Sequence, residues 1–77
     1  MRSAIRDYIV NELLSGREVG DQEDLLLSGL VESIGVMRLV VFMEQKFGVQ
    51  IAPQDITIEN FANVNAICLY LERRLNP

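Results

Sequence analysis

Histidine is absent from this chain of 77 residues, and cysteine occurs once, as Cys68. Without an imidazole, nucleophile activation by a Ser-His or Cys-His pair is excluded. A zinc site is improbable for the same reason, because one thiol is the only soft ligand left. The sequence also lacks a Gly-rich phosphate loop and the Asp-x-Asp-x-Asp-Gly spacing of a calcium loop. We therefore expect neither a metal site nor enzymatic activity of the chain's own.

Basic runs and long apolar runs are missing as well. The net charge is −4, from 7 basic and 11 acidic residues, and we expect no nucleic-acid partner because phosphate neutralisation drives most such binding. The longest apolar run, residues 66–71, is far shorter than the about 18 residues of a membrane span. Acidic and amide residues within the first fifteen positions argue against a signal peptide. A single cysteine cannot form an internal disulfide, which fits a reducing compartment, and we expect a cytoplasmic protein. We also expect a monomer.

The apolar fraction of 49% predicts one folded domain spanning residues 1–77. Ser3 is the predicted N-cap of a first helix, which we expect to end near Gly16 in a left-handed conformation. The core face of this helix is predicted to comprise Ile5, Tyr8, Ile9 and Leu13.

Residues 17–32 lose the helical period and are predicted to form a long acidic loop. Its acidic residues are interpreted as a solvated surface. The residues expected to hold the loop against the helices are Leu25, Leu26, Leu27 and Leu30.

The second helix has the strongest helical period in the sequence and is predicted to end at Gly48. Its core stripe is predicted to consist of Val36, Leu39, Val40, Met43 and Phe47. At about 100° per residue, Ile34, Met37 and Val41 form a separate apolar strip near the surface. Arg38 and Gln45 fall opposite the core stripe.

The remaining chain predicts an extended connector at residues 49–51, a short helix starting at Pro53, and a turn or short helical piece at residues 57–60. A last helix is expected after Asn63 as its cap. Its core face is predicted to hold Val64, Ile67, Cys68, Leu71 and Leu75, with Cys68 as a packing residue. The predicted fold is all-α: a small four-helix bundle of three main helices and one short helix, with a long loop between the first two.

Ser33 lies where the loop becomes the second helix. On position alone it reads as an ordinary N-cap, although Val36 replaces the Glu or Gln of a capping box. Residues 24–34, however, resemble the modification site of acyl carrier proteins and of the related peptidyl and aminoacyl carriers. In that family a Gly-Leu turn precedes an acid, a serine and a leucine at the start of the second helix. Here Glu32, Ser33 and Ile34 occupy those three positions, and the likeness extends along the whole chain.

The resemblance implies that a phosphopantetheinyl transferase moves 4′-phosphopantetheine from coenzyme A to the Ser33 hydroxyl. The chain would then be no enzyme but a carrier that holds acyl groups as thioesters. An acyl- or aminoacyl-loading ligase and downstream synthase or transferase enzymes would be its further partners. By the same resemblance, partners would dock along the second helix, at Glu32, Ile34, Met37, Arg38 and Val41. Gly35 is interpreted as leaving the first turn open to the transferase.

One function is favoured, and two alternatives remain open. Carriers of primary fatty acid biosynthesis have a strongly acidic second helix, whereas this one has Arg38 and Lys46 and keeps Glu44. That difference favours an acyl carrier of a specialised lipid or polyketide pathway. The first alternative is an aminoacyl or peptidyl carrier of a nonribosomal-peptide type of pathway. The second, from a different class, is an unmodified helical domain whose apolar strip binds a partner helix.

Overall fold

The computed structural model describes residues 1–76, and all regular structure within them is helical. The elements are α1 (Arg2–Tyr8, continued by a π-helical turn at Ile9–Leu13), α2 (Ser33–Phe47), a 3-10 turn (Pro53–Asp55), α3 (Ile58–Phe61) and α4 (Val64–Leu75). The prediction of an all-α bundle with three main helices and a long first loop is confirmed. None of the helices in this part of the chain has the length and apolar character needed to cross a membrane.

The core forms where the apolar faces of α1, α2 and α4 meet. Its fully enclosed members include Ile5, Ile9, Met43, Phe61, Val64, Ile67, Cys68 and Leu71. From the predicted stripe of α2, Val36 and Phe47 are only half-buried and lie at the edge of this core. Leu75 is exposed, and its assignment to the core face is wrong, because the last residue of α4 lies at the rim of the bundle.

Helix α1 starts two residues earlier than predicted, at Arg2. Met1 precedes it and no side chain caps it, so the prediction of Ser3 as N-cap is wrong. The Arg2 side chain instead anchors this end, with Nη2 donating to Asn65 Oδ1 at 3.2 Å. At the other end Gly16 has a φ of +92°, which confirms the predicted left-handed residue.

The long loop is folded against the bundle by backbone hydrogen bonds. Leu25 N–H donates to Ala62 O at 2.8 Å, and Val31 N–H donates to Leu25 O at 2.8 Å. Leu25 is buried as predicted, whereas Leu27 is 76% exposed and its predicted packing role is wrong. Val31 is buried in the core instead, although the sequence pattern did not single it out.

None of the acidic residues of the loop is buried, in keeping with the interpretation of a solvated acidic surface, but two of them also organise the loop. Asp21 pairs with Arg6, which links the loop to α1. Asp24 Oδ1 accepts hydrogen bonds from the N–H groups of Leu26 at 3.1 Å and Leu27 at 3.0 Å. These two bonds form a turn of the kind that an aspartate side chain favours.

The second half of the chain follows the prediction closely. Gly48 ends α2 with a φ of +69°, and a 3-10 turn begins at Pro53. Thr57 Oγ1 accepts from Asn60 N–H at 3.2 Å and caps α3. Asn63 Oδ1 accepts from the N–H of the third residue of α4 at 2.7 Å, which confirms the predicted cap.

Candidate functional site at the start of helix α2

Ser33 is the first residue of α2, and its side chain is exposed. Glu32 occupies the N-cap position in an extended conformation, and no side chain of the described chain caps this helix. The interpretation of Ser33 as an ordinary N-cap is therefore wrong, because the serine lies inside the first turn. Its hydroxyl is not used to stabilise the helix.

The backbone at this end of α2 is suited to an anion. The first hydrogen bond within the helix joins Val36 N–H to Glu32 O at 2.9 Å. The N–H groups of residues 33–35 precede it and have no acceptor among the described residues. Three unpaired donors at the positive end of a helix of 15 residues favour a negatively charged group beside Ser33.

Gly35 is half-buried and lies against side chains of the loop and of the first helix. A Cβ atom at this position would lie 3.0 Å from Val31 Cγ1 and 3.7 Å from Leu13 Cδ2. The interpretation of Gly35 as an opening for a transferase is thus wrong, because the space is filled by packing. The glycine instead allows the start of α2 to pack closely against the loop and the end of the first helix.

Two open clefts flank Ser33. The larger, of about 720 Å³, lies between the start of α2, the loop and α3, and its apolar lining includes Leu26, Val31, Val36, Ile56, Ile58 and Phe61. The smaller, of about 480 Å³, is hereafter called the α1–α2 groove. The α1–α2 groove is lined by Tyr8, Ser33, Ile34, Met37, Arg38 and Val41.

The structure brings most of the predicted docking residues together. Ile34, Met37 and Val41 are 78%, 51% and 48% exposed, and all three line the α1–α2 groove beside Ser33. Glu32 is exposed but lines the larger cleft instead. The separation of an outer strip from the core stripe of α2 is therefore confirmed as geometry, while its use in docking remains a prediction.

Arg38 contacts the first helix across the groove. Its Nη1 lies 3.4 Å from Glu12 O, and its Nη2 lies 3.9 Å from Glu12 Oε1. Tyr8 also lines the groove, and its hydroxyl donates to Arg38 O at 3.4 Å. The ring of Tyr8 stacks on Phe42 with centroids 4.3 Å apart.

Sequence reasoning missed Tyr8 and Glu12 as neighbours of the site. The helical period placed Tyr8 on the core face of its own helix, which is correct for its stacked ring. No signal in the sequence pairs either residue with Arg38, because the contacts join positions 30 and 26 residues apart.

Within residues 1–76, no three His, Cys, Asp or Glu side chains are grouped as metal ligands. The groups in this region that can react or bind a ligand are therefore one free hydroxyl, a helix end that favours an anion, and two apolar clefts.

A family model described as phosphopantetheine attachment site matches residues 3–71. The chain belongs to this family of phosphopantetheine-binding carrier proteins. It is also similar to a D-alanyl carrier protein of Abiotrophia defectiva, with 29% identity over 69 residues that cover 87% of each chain.

The prosthetic group of the family, 4′-phosphopantetheine, is attached covalently to a serine. Carrier proteins of this kind are not catalytic themselves, and they interact with a phosphopantetheinyl transferase and with partner enzymes. The residues at the start of α2 fit the group. An exposed serine hydroxyl is available for a phosphodiester, and the unpaired N–H groups of residues 33–35 favour its negative charge.

Proposed function

We propose that Ser33 is the serine of this carrier protein that bears 4′-phosphopantetheine. The observation that carries the proposal is the exposed Ser33 hydroxyl in the first turn of α2, beside unpaired N–H groups. Ser28 offers a contrast, because its Oγ donates to Asp24 O at 2.6 Å and accepts from Leu30 N–H at 3.3 Å. Of these two loop-proximal serines, Ser33 alone combines a free hydroxyl with a helix N-terminus.

The chain's own residues then supply the nucleophile and its environment. Ser33 Oγ attacks the phosphorus atom of coenzyme A that bears the pantetheine arm, the phosphoanhydride bond to that phosphorus breaks, and adenosine 3′,5′-bisphosphate leaves. The serine proton passes to a base, which we place on the transferase. The N–H groups of residues 33–35 offset the charge of the resulting phosphodiester. When bound, 4′-phosphopantetheine supplies the thiol that carries the cargo as a thioester.

We further propose that Glu32, Ile34, Met37, Arg38 and Val41 form the docking surface for the transferase, a loading ligase and downstream enzymes. Support comes from the exposure of the three apolar members and their position in one groove with Ser33. Clustered apolar side chains on a surface are a common feature of binding sites.

For the cargo we propose an acyl group of a specialised lipid or polyketide pathway. The apolar lining of the larger cleft supports this choice, because Val36, Ile56 and Ile58 offer contacts to a hydrocarbon chain carried on the prosthetic arm of Ser33. A second candidate is an aminoacyl group, which is favoured by the name of the D-alanyl carrier protein that the chain resembles.

The attachment proposal is tested by intact mass after coexpression with a broad-specificity phosphopantetheinyl transferase. Wild-type protein is expected to gain one prosthetic group, Ser33→Ala none, and the matched control Ser28→Ala one. Modification of Ser33→Ala would contradict the assignment. Wild-type protein left unmodified by an active transferase would instead support an unmodified interaction domain.

The cargo proposal is tested on protein purified from its own source. Hydroxylamine cleaves thioesters and releases the cargo as a hydroxamate, whose mass identifies it. A hydroxamate with a hydrocarbon chain is expected. An amino-acid hydroxamate would establish the second candidate and reject the first.

A further inference from the structure

The exposed side of α2 carries an unexpected distribution of charge. Although the net charge of the chain is −4, Arg38 is the only charged residue among those that line the α1–α2 groove. The one acid of α2, Glu44, is half-buried, and its Oε2 accepts a hydrogen bond from Ile51 N–H at 3.0 Å. Glu44 is therefore engaged in holding the connector after α2. The residues that line the groove therefore present apolar side chains and one cation, and the exposed carboxylate of Glu12 lies beside that cation.

A carboxylate of the same chain already lies near that cation. Glu12 Oε1 is 3.9 Å from Arg38 Nη2, and the two side chains are 56% and 50% exposed. A pair with this length and exposure is weak, so a second carboxylate can displace Glu12 at little cost. Glu12 thus shows from which side a carboxylate reaches the guanidinium.

We propose that the groove selects partner proteins that place a carboxylate on Arg38 while their apolar side chains pack among Ile34, Met37 and Val41. The proposal rests on the docking surface proposed above and adds the charge of the partner. The apolar contacts supply most of the affinity, and the carboxylate supplies discrimination between partners. Glu12 is the internal competitor for Arg38, and its release accompanies docking.

Arg38 also has a structural contact that the test must separate from docking. Its Nη1 lies 3.4 Å from the backbone carbonyl of Glu12, close to the end of the π-helical turn, where a cation stabilises unpaired carbonyls. A purely structural role would lower the stability of Arg38 variants without changing which charge a partner must present.

The probes are two synthetic amphipathic helical peptides with the same apolar face, flanked by Glu in one and by Lys in the other. Dissociation constants are measured by calorimetry on the full apo chain, at low salt and at about 0.15 M salt. The wild type is expected to bind the Glu peptide about threefold to fivefold more tightly than the Lys peptide, the ratio given by one exposed charge pair. The preference is expected to shrink as salt screens the pair.

Variants test whether Arg38 causes the preference for the Glu peptide. Arg38→Gln is expected to abolish the preference, Arg38→Glu to reverse it, and Glu12→Gln to strengthen binding of the Glu peptide. Lys46→Glu is the matched control, because Lys46 is an exposed cation of α2 that does not line the groove. Circular dichroism and thermal melts verify the fold of each variant.

Equal affinities, a preference for the Lys peptide, or no binding of either peptide by the wild type would overturn the proposal without recourse to any variant. A shift in Lys46→Glu as large as that in Arg38→Glu would also overturn it, because the effect would then be one of net charge. Binding of the peptides to the apo chain does not depend on modification of Ser33. A failure here is therefore distinguishable from a failure of the mass test for Ser33.

Discussion

The hydroxyl of Tyr70 donates a hydrogen bond of 2.9 Å to Asp55 Oδ2. This bond ties α4 to the 3-10 turn at Pro53–Asp55, from which the chain runs directly into α3. Asn60 Nδ2 donates to Asp55 O at 2.9 Å, and Arg73 Nη2 donates to Asn60 Oδ1 at 3.2 Å. The network holds α3 against α4, so it positions the wall of the larger cleft beside Ser33.

Because of the Tyr70–Asp55 bond, we expect the stability of the fold to decrease at alkaline pH. Burial, aided by the hydrogen bond to Asp55, raises the pKa of Tyr70 to about 12. Since a tyrosine in the unfolded chain titrates near 10, the stabilisation is complete below pH about 10 and is lost as pH rises through about 12. Tyr70→Phe is expected to cost about 1.5 kcal/mol at neutral pH and to flatten this alkaline loss of stability.

Urea unfolding at several pH values measures this effect, and the absorbance of tyrosinate follows the titration directly. Because the chain has 2 tyrosines, Tyr8→Phe isolates the signal of Tyr70. An alkaline stability profile of Tyr70→Phe that matches the wild type would contradict the prediction.

Ser33→Ala is expected to change the free energy of unfolding by less than about 0.5 kcal/mol, because the Ser33 hydroxyl caps nothing. If Ser33 were an N-cap, its replacement by alanine would lower the free energy of unfolding by about 1 kcal/mol. Asn63→Ala is the matched control, since Asn63 does cap α4, and we expect it to cost about 1 kcal/mol. Urea unfolding of the two variants decides between these values, and equal losses would show that Ser33 stabilises the helix after all.

Met37→Asp is expected to leave the fold intact, with a loss below about 1 kcal/mol, because Met37 is half exposed. Modification by the transferase should nevertheless slow by about tenfold if Met37 belongs to the docking surface. Met43 lies on a different face of α2 and is fully buried. Met43→Asp should therefore unfold the domain, because it places an unpaired charge in the core. Circular dichroism and a modification time course measure both outcomes. Unfolding of Met37→Asp would place the strip in the core and refute the docking assignment.

Cys68 is expected to act only in packing. It is fully enclosed, and burial raises the pKa of its thiol, so we expect no reaction with a thiol reagent until the chain unfolds. Cys68→Ala should cost about 1 kcal/mol and leave attachment and thioester loading intact. Loss of loading in a well-folded Cys68→Ala protein would show that this thiol takes part directly.

Elements whose cause is local were predictable from the sequence. The period of α2, the cap at Asn63 and the left-handed residues Gly16 and Gly48 depend on neighbours a few positions away, and all four were confirmed. The acid, serine and aliphatic residue at positions 32–34 likewise pointed to the family that the comparison then showed.

Errors arose where long-range contacts replaced a local rule. Ser3 was predicted to cap the first helix, but the start of this helix is held by a hydrogen bond from Arg2 to Asn65. Asn65 lies in another helix, so the sequence around Ser3 does not indicate this contact. The role of Asp21 in linking the loop to α1 was not predicted, because its partner Arg6 comes from another element. Gly35 was interpreted as leaving the first turn open, but the side chain of Val31 occupies the space beside it.

The sequence by itself determined the helix periods, the caps of the later helices and the family, because each follows from residue type and short spacing. Only the tertiary structure decided that the Ser33 hydroxyl is free, that Glu44 is engaged with Ile51, and that Arg38 meets Glu12 across the groove. The physical reason is that hydrogen bonds and ion pairs depend on distances between side chains. Those distances are fixed when the helices and the loop pack together around a shared core.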